Sequence, residues 1–127
     1  MKIGVFADIH SNYHGFRACY DEAVKRGVNQ FLFLGDYVSD CAYPEKTMEL
    51  LYYIRDRYPC NFIRGNREDY LLNHQKGAED GWTTPSSATG GLLYTYLEVR
   101  QYLKKGAPNG TPLLFNRRQY FEGIHPA

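Results

Sequence analysis

Asp8 and His10 stand two residues apart, a carboxylate and an imidazole with one residue between them. In an extended segment alternate side chains share a side, so both could reach one cation. A second carboxylate, Asp36, sits in Gly35-Asp36-Tyr37-Val38-Ser39-Asp40, where the glycine lets the backbone turn sharply. Gly65-Asn66-Arg67-Glu68 repeats that device and offers a neutral carbonyl oxygen on Asn66. Mixed nitrogen and oxygen donors of this kind suit Mn, Fe, Zn or Ni. Two such ions sharing a carboxylate would lie roughly 3.5–4 Å apart, bind phosphate-ester oxygens and activate a water for in-line attack on phosphorus. Each residue also has a plainer reading. Asp8 or Asn66 could cap a helix, Asp36 could stabilise a turn, and His10 could be a hydrogen-bonded loop histidine.

The elements around these motifs decide whether they can meet. Residues 2–7 form a short apolar run of the buried-strand type. Over residues 14–26, Phe16, Cys19, Tyr20, Ala23 and Val24 fall at helical spacing, with Asn12 as a candidate cap and Gly27 as a stop. Residues 30–34 give a second buried strand. Pro44 suits the first turn of a second helix, with Met48, Leu51, Tyr52 and Arg55 on one face and Pro59 ending it. Residues 60–63 give a third strand, and a further helix is expected from about Arg67 to Asn73. Strand, helix, strand, helix, strand predicts an α/β fold, a βαβαβ unit with a parallel sheet flanked by helices. Ligands in such sheets bind beyond the carboxyl ends of the strands, where all three motifs fall. After Lys76 the pattern weakens: residues 77–91 read as loop, 92–105 as a helix and 111–123 as one strand or two. Thr84-Pro85-Ser86-Ser87-Ala88-Thr89-Gly90-Gly91 lacks the lysine and spacing of a P-loop and reads as ordinary loop.

Asp8-x-His10, Gly35-Asp36 and Gly65-Asn66, in this order and each at a strand end, resemble the calcineurin-like metallophosphoesterases. Gly35-Asp36-Tyr37-Val38 is similar to that family's second block. The resemblance spans residues 1–68 and implies that Asp8 and His10 bind a first metal, that Asp36 bridges two, and that Asn66 binds the second. It implies a metal-dependent phosphoesterase acting on a phosphomonoester or phosphodiester. The pattern departs from the family in four places. Arg67 stands where the family has a histidine; arginine cannot act as a general acid near neutral pH, but its fork of donors can clamp a phosphate, which makes Asn66 and Arg67 the candidate substrate-binding pair. A surface ion pair of Arg67 with Glu68 or Asp69 is the plainer reading. Ser39 stands where the second block often carries an aspartate, with Asp40 one place later. No downstream His-Gly or Gly-His-x-His block follows; His14 and His74 read as surface residues, and His125, followed only by Pro126 and Ala127, is not expected to be a ligand. The chain of 127 residues is also short for the family's two-sheet sandwich. One partial domain over residues 1–127 is therefore expected, ending before the remaining ligands, with weak or absent turnover. The uncovered sheet face predicts a homodimer or segment swap, which a chain that stays monomeric in sedimentation would contradict.

Composition narrows the alternatives. A net charge of +1 and the absence of a basic stripe argue against a nucleic-acid binder. No apolar run approaches the roughly 20 residues that span a bilayer, and residues 1–8 read as a strand rather than a signal peptide. Cys19, Cys41 and Cys60 show no CxxC spacing, which fits a reducing cytoplasm and small apolar fillers. A non-catalytic binding or assembly module with a vestigial metal site is the second functional expectation. A flavodoxin-like or receiver-type domain would explain Asp8 and Asp36 but not His10 or the two glycine turns.

Overall fold

The computed structural model describes residues 1–39 and 41–75. Within them the order is β1 (Ile3–Phe6), α1 (Tyr13–Lys25), β2 (Gln30–Phe33), α2 (Pro44–Arg55), β3 (Cys60–Phe62) and α3 (Asn66–Gln75). The strands lie in the order β1-β2-β3, all parallel. The βαβαβ expectation holds, with strands a residue or two shorter than the apolar runs and α2 ending at Arg55, short of Pro59. The expectations for residues 76–127, with the helix over 92–105, the one or two strands over 111–123, His125 and the 84–91 loop, fall outside the described residues, as do Asp40 and the side chain of His74.

Register explains the core. Phe6 pairs with Phe33 and Phe33 with Phe62, so three rings line one face of the sheet. Phe33 and Phe62 stack at 4.9 Å, and Phe6 and Phe33 at 5.6 Å. Gly4 is opposite Phe31; a Cβ there would come within 3.0 Å of the Phe31 ring and of Val28. Helix α1 covers this face with Phe16 and Tyr20, and α2 adds Met48, Leu51 and Ile54, each fully buried. Right-handed crossovers in one direction place both helices on the same side of the sheet. On the other side Ile3, Val5 and Leu34 are exposed among the described residues.

Local signals set the helix ends. The Asn12 side chain accepts the Gly15 N–H at 3.1 Å, an N-cap bond. At the far end Gly27 has φ +75, with Val28 N–H on the Ala23 carbonyl and Gly27 N–H on the Val24 carbonyl. This is the Schellman closure that glycine permits. The expected apolar face of α1 is narrower than its spacing suggests, because Cys19 and Val24 are exposed. Cys41 is also exposed, so only Cys60 acts as a filler; burial pushes its thiol up to about 12.

Candidate metal centre

Three chain segments converge beyond the carboxyl ends of the strands. After β1, residues 8–11 run beside the turn that follows β2. Asp8 N–H donates to the Gly35 carbonyl, His10 N–H to the Asp36 carbonyl and Ser11 N–H to the Tyr37 carbonyl, at 3.3, 2.9 and 3.0 Å. The backbone here is not the extended segment that the Asp-x-His spacing suggested. Asp8, His10 and Ser11 have φ of 53°, 48° and 62°, and Asp36 and Ser39 have 55° and 83°. Left-handed backbone at non-glycine residues costs of order 1–2 kcal/mol each. Such strain gathers where a fold over-determines a functional site. Here the cross-loop amide bonds do the holding.

The side chains meet despite the different backbone. His10 Nε2 lies 3.6 Å from Asp8 Oδ1 and 4.0 Å from Asp36 Oδ2. One ligand atom from each of Asp8, His10 and Asp36 falls within 4.8 Å of the others. Exposure grades from Asp8, whose side chain is 72% accessible, to Asp36 at 18%. Two carboxylates and an imidazole nitrogen at this spacing fit a divalent cation of the first transition row. Neither Asp8 nor His10 caps the helix that follows, since Asn12 caps α1. Asp36 also acts across the turn, where its Oδ1 accepts the Arg67 N–H at 3.0 Å and holds the start of α3.

The third segment places Asn66 and Arg67. Gly65 packs directly on the turn after β2. A Cβ on Gly35 would lie 2.5 Å from Gly65 N, and one on Gly65 would lie 2.2 Å from Asp36 Oδ1. Only two glycines let these backbones approach so closely. Asn66 is exposed at the first position of α3 and Arg67 is half-buried beside it. His14 is exposed on α1, edge-on to Tyr43 at 5.0 Å, in line with its expected surface position. Ser39 is fully buried.

Glu68, one of the two acids that a plainer reading offered Arg67 as a surface partner, does not lie at the surface. It is fully buried. Its Oε2 accepts the N–H groups of Asp36 and Gly65 at 2.8 and 2.9 Å, and its Oε1 accepts that of Tyr37 at 2.8 Å. Burial pushes its carboxyl up, against the pull of those three donors. Asp69, the other expected partner, pairs with Arg64 at 2.6 Å. The spacing Gly65-x-x-Glu68 carried the signal, since a glutamate at the third helical position reaches back to the N-cap amide. Tyr37 is buried beneath the turn, its hydroxyl bonded to the carbonyls of Phe33 and Ile63.

The family model for calcineurin-like phosphoesterases matches residues 1–119. A PP2A-like serine/threonine-protein phosphatase of Candida albicans is 34% identical over 94 residues, covering 64% of this chain and 23% of that protein. The chain thus spans less than a quarter of that relative's length. Among solved structures, a hypothetical protein from Pyrococcus horikoshii superposes with a TM-score of 0.68 at 21% identity, over 81% of this chain and 46% of that one. At that identity the likeness speaks for the fold alone.

Proposed function

The chain belongs to the calcineurin-like phosphoesterase family, and from that premise we propose that it hydrolyses a phosphate ester with a divalent cation held by Asp8, His10 and Asp36. The observation that carries this reading is the convergence of those three donor groups within 4.8 Å at the strand ends. A cation held there would supply charge for the phosphoryl oxygens and activate a water. The chain's own residues do the rest. Asp36 is aimed at His10 because the Arg67 N–H holds its other oxygen. Asn66 and Arg67, at the positive end of α3, bind the substrate phosphate. Asn66 and Asp36 would be the residues to hold a second ion.

Arg67 shapes which substrates turn over. Arginine cannot act as a general acid near neutral pH, so Arg67 binds an anion without protonating a departing alkoxide. Turnover is therefore slow for alkyl phosphates and fastest where the leaving group is stable as an anion. The test is Mn-supported hydrolysis of p-nitrophenyl phosphate and bis(p-nitrophenyl) phosphate against an alkyl phosphate. The expected result is activity on an aryl ester, lost in Asp8→Ala. Arg67→Ala should raise KM at least about tenfold, as expected for a lost charge-assisted contact. Bound Mn with no turnover of any ester would favour the non-catalytic binding or assembly module instead.

A further inference from the structure

We infer that Glu68 is a positioning residue of the metal centre, a buried carboxylate that sets the placement of Asp36 and of the α3 N-terminus and so the affinity of the site, without itself touching the cation. The inference rests on the metal-binding reading above and deepens it. Its basis is a closed loop of bonds around one ligand. Glu68 Oε2 accepts the backbone N–H of Asp36, while the Arg67 N–H, one residue away on α3, holds Asp36 Oδ1. The backbone and the side chain of the same metal-site aspartate are thus fixed from adjacent positions of one helix. The Gly65 N–H on Oε2 closes the helix start, and the Tyr37 N–H on Oε1 extends the grip to the following residue of the turn.

An ordinary capping glutamate would need only the Gly65 bond. Glu68 spends both oxygens, and two of its three donors belong to the turn after β2 rather than to its own helix. All three partners are N–H groups, so the matching side chain is one with acceptors on both branches. Glutamine has an acceptor on one branch only, and its amide hydrogens would face an N–H on the other. The close approach of Gly35 and Gly65 leaves the two backbones little freedom to adjust to that mismatch. Tilting the turn moves Asp36 relative to Asp8 and His10, whose ligand atoms must stay together.

The test uses the full chain with Glu68→Gln and Glu68→Asp. Mn affinity is measured by calorimetry, and hydrogen exchange of the Asp36, Tyr37 and Gly65 amides is followed by NMR on metal-free protein. The expected result is a loss of about 10–100-fold in Mn affinity for Glu68→Gln, the range for groups that orient a metal ligand. The metal-free protein should stay folded by circular dichroism, with faster exchange at all three amides. Glu68→Asp, which keeps two acceptor oxygens, should recover part of the affinity; if Glu68→Gln does not fold, this variant carries the same comparison against wild type. Wild-type Mn affinity in a folded Glu68 variant would overturn the inference, as would unchanged exchange at Asp36. A wild-type chain that binds no Mn would sink the metal reading alone, since the exchange data still decide whether Glu68 places Asp36.

Discussion

Gly35→Ala should lower folding stability by about 2–5 kcal/mol, the sum of left-handed backbone strain and overpacking. Gly35 has φ +95, a conformation that an L side chain resists. The new Cβ would also lie 2.5 Å from Gly65 N and 2.7 Å from Gly65 Cα. Both are backbone atoms, so no side-chain rotation can relieve the overlap. Small domains hold only about 5–15 kcal/mol in total, so the variant sits near the edge of folding at body temperature. Urea unfolding measures the difference directly. A variant within about 0.5 kcal/mol of wild type, the range of ordinary surface changes, would show that the two turns are not in contact. Gly65→Ala should also destabilise, since its Cβ would lie 2.6 Å from Asp36 N.

Asp36→Asn separates folding from metal binding. The substitution keeps an oxygen able to accept the Arg67 N–H, so the hold on α3 survives. It removes the charge of the most buried carboxylate in the donor cluster. In wild type, Mn at a hundredfold excess over its dissociation constant should add about 2.7 kcal/mol of stability by mass action. That raises the melting temperature by several degrees. In Asp36→Asn the metal-free melt should stay near wild type and the rise with Mn should vanish. A variant that keeps the full rise would remove Asp36 from the site. One that melts far lower without metal would give Asp36 a structural role beyond its hold on Arg67.

The sheet and its three motifs were legible because the signals are local. Each apolar run breaks at a polar turn: Asp8 after Phe6 and Ala7, Gly35-Asp36 after Leu34, Gly65-Asn66 after Ile63 and Arg64. Asn12 and Gly27 mark the ends of α1 by chemistry that needs no tertiary context. Other features depend on long-range contact and did not show. The left-handed turn at Asp8 and His10 is imposed by amide bonds to residues 35 and 36, which no local propensity encodes. Glu68 reads as a surface residue because glutamate is rarely fully buried. Two of the three donors that let it be buried are supplied by the turn after β2. Cys19 and Val24 fit a helical stripe, yet the stripe that meets the sheet is narrower, carried by Phe16 and Tyr20.

Whether His10 and its two carboxylate neighbours hold a cation is the point on which the proposed function depends. Pulsed electron paramagnetic resonance of the Mn(II)-loaded chain tests it most directly, because a coordinated imidazole imprints nitrogen modulation on the metal's signal. Modulation from one histidine nitrogen is expected, lost in His10→Gln and retained in His14→Gln. Mn that binds without nitrogen coupling, or coupling that survives His10→Gln, would contradict a cation held by His10.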